Sequence, residues 1–174
     1  MDPYINLAQK TIETFVKTRK MIEPPSNLPA EMIENQAGVF VSIHTKENHD
    51  LRGCIGTFTP TEKNIAHEII RNAISASQYD PRFEPIREDE LDNLEISVDI
   101  LQEPERIHLL DELNPKVYGA IVKTKDGRTG LLLPDIPEVE TVDDQLNICC
   151  KKGNIDPETD EVELYRFMVE RHQS

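Results

Sequence analysis

"LEISVDIL", residues 94–101, alternates apolar and polar side chains without a break. In a strand, Leu94, Ile96, Val98 and Ile100 fall on one face, with Glu95, Ser97 and Asp99 on the other. That is the pattern of a sheet covered on one side only, with the acidic face expected in water. Working outward, "GVFVSIH" (38–44) repeats it through Val39, Val41 and Ile43. The polar connector "TKENHD" joins this strand to "LRGCIG" (51–56) as a long-looped hairpin. "GAIVKTKDGRTGLLLP" (119–134) is predicted to be a second hairpin about Asp126-Gly127, a pair favoured in type I′ turns. The tail "EVELYRFMVER" (161–171) reads as a last strand from its β-branched and aromatic content, with a helix as the alternative.

Helices fill the gaps. Asp2-Pro3 supplies an N-cap with proline at the first helical position. Ile5, Ala8, Ile12, Phe15 and Val16 then recur at helical spacing as far as Arg19-Lys20. "EPPSNLP" (23–29) is too proline-rich to be anything but a loop. Thr59-Pro60-Thr61-Glu62 resembles a capping box opening a second helix, with Ile65, Ile69, Ala73 and Ile74 as its buried stripe to about Ser77. Pro81 and Pro85 keep "DPRFEPIRED" (80–89) irregular. Thr141 caps a third helix whose Val142, Leu146, Cys149 and Cys150 share one face, and Gly153 closes it. The order α-β-β-α-β-β-β-α-β has tight hairpins and no βαβα rhythm. It specifies an α+β fold, a mostly antiparallel sheet with helices packed on it, in a single domain spanning 1–174.

Composition narrows the function. The 174 residues carry 33 acidic and 19 basic side chains, a formal net charge of −14. Phosphate backbones require clustered Lys and Arg, and "KTRK" (17–20) and "KK" (151–152) are the only dense basic spots, so no nucleic-acid partner is expected. No apolar run approaches the roughly 20 residues that span a bilayer, and "MDPYINLAQK" is no signal peptide. A soluble cytoplasmic protein with no membrane association is expected. The three cysteines, Cys54, Cys149 and Cys150, form no disulfide framework and suit a reducing compartment. Neither C-x-x-C nor H-x-x-x-H spacing occurs, so no metal and no cofactor are expected.

"LRGCIG" is the unusual stretch, because glycine weakens a strand. Strand alternation sends Leu51, Gly53 and Ile55 to the core face, and Arg52, Cys54 and Gly56 to the other. Arg52 and Cys54 then stand roughly 6–7 Å apart, where a guanidinium favours the thiolate by about 0.6 kcal/mol in water and about 2.5 kcal/mol at an effective dielectric near 20. Gly53 and Gly56 would leave the backbone open to a ligand or partner. His44 and His67 are candidate bases, neither in a nucleophile motif. The structural alternative for Cys54 is a small buried hydrophobe. Cys149 and Cys150 read as core. In "DPRFEP" (80–85), Asp80 and Arg82 are placed to flank the strand, with Asp80 the expected partner of Arg52.

"LRGCIG" followed by "DPRF" (80–83) resembles the AMMECR family, whose prokaryotic members are called AmmeMemoRadiSam system protein A. "AGVFVSI" (37–43), "ELDNLEISVDIL" (90–101), "GRTGLLLP" (127–134) and "CCKKGNI" (149–155) extend the resemblance over nearly the whole chain. At 136–147, where relatives tend to carry a tryptophan, this chain has "IPEVETVDDQLN". The resemblance implies a larger and a smaller lobe, with the hexapeptide in a cleft region. It also implies a shared pathway or complex with a Memo-like protein and a radical-SAM protein. Leu51 to Gly56 and Asp80 to Phe83 are the positions that carry over. Two functions follow as expectations. One is an accessory or adaptor component docking those partners through the hexapeptide. The other is an enzyme using Cys54 as nucleophile on a small anionic substrate or a modified residue, with Arg52 steadying the thiolate.

Overall fold

The computed structural model describes residues 2–174. Its Cα packing separates into two compact units, Met1–Leu101 with Glu170–Ser174, and Gln102–Val169. These are the larger and the smaller lobe, and each holds its own antiparallel sheet and helices.

In the larger unit α1 spans Pro3–Thr18. Asp2 Oδ1 accepts from the backbone N–H groups of Tyr4 and Ile5, and Arg19, left-handed at φ 60°, ends the helix. A short α2, Ala30–Glu34, follows the proline loop and buries Met32. Strands β1 (Val39–Thr45) and β2 (Leu51–Thr57) form the hairpin; α3 spans Ile65–Gln78 and β3 spans Leu94–Leu101. The last strand, β8 (Val169–Gln173), completes a four-stranded sheet in the order β2-β1-β3-β8. Val39, Val41, Ile43, Leu94, Ile96, Val98 and Ile100 face α1 and α3 in one core.

The smaller unit contains β4 (Glu105–Ile107), β5 (Gly119–Thr124), β6 (Thr129–Leu132), α4 (Val142–Lys152) and β7 (Val162–Phe167). Its sheet order is β4-β7-β5-β6. Ala120, Val122, Leu132, Cys149 and Cys150 belong to its core. Thr141 caps α4 and Gly153 ends it, as the sequence predicts.

Several expectations need correction. The second long helix begins at Ile65, capped by Asn64, and not at the Thr59–Glu62 box. Glu68 is the reason. This fully buried carboxylate accepts from the backbone N–H groups of Thr61 and Glu62, at 2.8 and 2.7 Å, and from the hydroxyls of Thr57 and Thr61. With those donors satisfied, the 59–62 segment stays a loop. Asp99 does not face water: it is 2% exposed, because Arg171 of β8 donates to both its oxygens at 2.7 and 3.0 Å. The β5–β6 turn is not type I′. Gly127 alone has positive φ there, at 91°, and its N–H donates to Thr124 O, while Asp126 is held by Thr124 and Arg128. The tail is two strands, with β7 in one sheet and β8 in the other.

Candidate functional site

β2 is the outer strand of its sheet, and register pairs Cys54 with Ser42 and Gly56 with Phe40 on β1. An outer strand leaves every second residue with its N–H and C=O pointing away from the sheet, where unpaired groups invite aggregation. At Cys54 both are satisfied by side chains. Cys54 N–H donates to Asp80 Oδ2 at 3.0 Å, and Cys54 C=O accepts from Arg82 Nη2 at 3.1 Å. Asp80 and Arg82 bond each other through Nε and Nη2, at 3.0 and 2.8 Å. The pair thus offers one acceptor and one donor in the places a neighbouring strand would. Asp80 is buried, and the Arg82 guanidinium, with the Cys54 and Arg82 N–H groups, brings its carboxyl down to about 2 despite that burial.

Two residues earlier, Arg52 turns to other partners. Its Nε and Nη2 donate to the two oxygens of Glu90 at 2.8 and 3.0 Å, and its Nη1 donates to Glu84 O at 2.8 Å. Arg52 therefore does not pair with Asp80, as the sequence reading expected. A bidentate contact with Glu90 uses the full guanidinium fork, and Asp80 already serves Arg82. The 80–90 segment is stitched along β2 at two points, Arg52 and Cys54.

The glycines are packed rather than open. A Cβ on Gly53 would lie 2.2 Å from Ala76 O of α3, so the helix approaches the strand more closely than any side chain permits. A Cβ on Gly56 would meet the Phe40 ring at 2.2 Å; the ring covers the space expected to receive a ligand. Leu51, assigned to the core face, is 38% exposed at the strand's start.

Cys54 itself is half-buried, with the Ser42 hydroxyl donating to its sulfur at 3.1 Å. Ser42 was missed in the sequence, although it is the polar interruption in "VFVSI" and the hairpin register would have matched it to Cys54. Arg82 also brings a cation to Cys54, donating to its carbonyl at 3.1 Å. His44 shares the Cys54 face on β1, and burial lowers its proton affinity, opposed by Glu95. The Nδ1 of His67 is bonded to Asn64 Oδ1 at 2.7 Å, which places this ring at the start of α3. Cys149 and Cys150 are core residues, and burial pushes the Cys149 thiol up to about 12. A cleft of about 380 Å³ lies over Ile12, Leu94 and Ile96, rimmed by Glu13, Asp92 and Glu95, with no lining residue from β2. Among the described residues, no group of three or more His, Cys, Asp or Glu could hold a metal ion, and no helix is long and apolar enough to cross a membrane.

A family model described as AMMECR1 matches residues 5–172. The chain belongs to the AMMECR1 family. A Thermotoga maritima protein is 49% identical over 171 residues, covering 98% of this chain and 97% of that one. A Clostridium acetobutylicum protein is 46% identical over 173 residues, covering 99% of this chain but 36% of its own length. The crystal structure of uncharacterized protein PH0010 from Pyrococcus horikoshii superposes with a TM-score of 0.89 at 32% identity, over 98% of this chain and 89% of that chain. The AMMECR1 fold is thus α+β as the sequence implied, and none of these relatives is named for an activity.

Proposed function

We propose that this AMMECR1-family chain works in the cytoplasm as an accessory or adaptor component beside Memo-like and radical-SAM proteins, docking them through the β2 surface around Cys54. The observation that carries this reading is the anchoring of Arg52 by Glu90 and Glu84 O, one bond from each guanidinium nitrogen. Each of its three guanidinium nitrogens is bonded to the protein, and the Glu90 carboxylate neutralises its charge. Arg52 holds a loop rigidly against the strand, and a rigid surface binds with little ordering cost. The Clostridium relative supports a module that operates next to other sequence, since the matching region fills 36% of its length. The test is co-expression of the tagged chain with a Memo-like and a radical-SAM protein, followed by gel filtration. Co-elution that weakens with Arg52→Ala is expected. Separate elution of both proteins at every salt concentration would sink the reading.

A second reading, Cys54 as nucleophile on a small anionic substrate or modified residue, draws on the Ser42 hydroxyl, placed to donate to a thiolate. Alkylation of Cys54 against pH decides it. A profile indistinguishable from a free thiol, together with an active Cys54→Ser chain in a genetic assay, would end it.

A further inference from the structure

The turn after α3 carries three side chains of the types that dominate protein-docking sites: Tyr79, Arg82 and Phe83. Tyr79 stands 66% exposed. The Arg82 side chain is 55% exposed, and its guanidinium lies over the Phe83 ring, 5.4 Å from the centroid. Arg82 spends Nε on Asp80 and Nη2 on Asp80 and the Cys54 carbonyl, whereas Nη1 has no hydrogen-bond partner among the described residues. The Asp80 side chain that neutralises Arg82 from behind is only 2% exposed, so an approaching molecule meets the cation and not its counterion. Arg52, the cation singled out in the sequence, has no such free nitrogen. Fixed by three bonds to groups on β2 and its own turn, Arg82 holds Nη1 outward at little further entropic cost.

We infer that the Tyr79–Arg82–Phe83 turn is the contact point of the adaptor surface, and that the partner protein presents an Asp or Glu side chain to Arg82 Nη1 beside the Phe83 ring. This rests on the adaptor reading above and names the partner's chemistry. In a chain of net charge −14, most of the surface repels an acidic segment, so a preorganised cation lying over the Phe83 ring selects one orientation of approach.

The experiment is an NMR titration of the full chain with the capped peptide acetyl-Gly-Glu-Phe-Glu-amide, its Gln counterpart, and acetate at equal carboxylate concentration. Amide shifts centred on residues 79–83 are expected with the acidic peptide, with binding at least tenfold weaker for the Gln peptide and for acetate. Arg82→Gln should weaken the acidic peptide at least tenfold, and Tyr79→Ala, which removes no hydrogen bond of the Cys54 clamp, several-fold. Equal responses to the Glu and Gln peptides, equal binding of acetate, no shift at 79–83, or unchanged affinity in both variants would overturn the inference. The co-elution assay separates the two claims. Partners retained equally by Arg82→Gln remove this contact and leave the adaptor role standing. Acidic-peptide binding without co-elution leaves the contact and removes those partners.

Discussion

Asp80 is the residue whose chemistry reaches furthest. It accepts from Arg82 and from the backbone of Cys54, and its carboxyl titrates near 2 instead of the ordinary 3.8. A depressed carboxylate stabilises the fold above its unfolded value and loses that contribution as pH falls through the native one. The wild-type chain should therefore lose about 2 kcal/mol between roughly pH 4 and pH 2 from this group. Urea titrations at pH 7 and at pH 2.5 check it: Asp80→Asn should be less stable at the higher pH, with the gap narrowing at the lower. The three thiols make a second expectation at this scale. Cys149 and Cys150 are sealed in the smaller unit's core, while Cys54 is half-exposed. A disulfide reagent such as DTNB should modify Cys54 in the native chain and reach the other two only in denaturant; labelling of Arg52→Ala at the same sites would show whether the loop guards the sulfur.

Among the elements, the hairpin and its covering helix were the most legible. Val39, Val41 and Ile43 announced β1, and Ile65, Ile69 and Ala73 announced the buried stripe of α3. The glycines of "LRGCIG" stand out because they weaken a strand, but their purpose lies in distant atoms. Nothing in the sequence says that Ala76 O closes on Gly53 or that Phe40 covers Gly56. Arg52 was equally opaque: "REDELD" offers several acids, and only the path of the 80–90 segment selects Glu90. Local pattern reports which face is buried, whereas close approach and long-range charge pairing depend on the assembled tertiary structure. Gly53→Ala should accordingly cost about 2–3 kcal/mol in chemical denaturation, since backbone must move to admit the methyl. Gly56→Ala meets a ring that can rotate and should cost less; equal losses would mean that Gly53 tolerates the methyl through a shift of α3.

At the scale of the whole molecule, alternation in "LEISVDIL" located β3 but misjudged its outer face. Asp99 is buried there against Arg171, a residue 72 positions away. Breaking one side of a buried pair strands the other charge, so Arg171→Met should destabilise the chain by about 3–5 kcal/mol. The double variant Arg171→Met with Asp99→Leu should recover part of that loss, as read by thermal melts of all four proteins. No recovery would mean that Arg171 contributes through its other contacts.

The return of β8 to the first sheet has a consequence for synthesis. The larger unit's sheet is missing one border until residues 170–174 have left the ribosome, long after its first 101 residues are available. During that interval β3 has no outer neighbour and Asp99 no counter-charge. A nascent chain stalled before Glu170 should therefore be protease-sensitive in its N-terminal portion, even where Gln102–Val169 has already formed its own core.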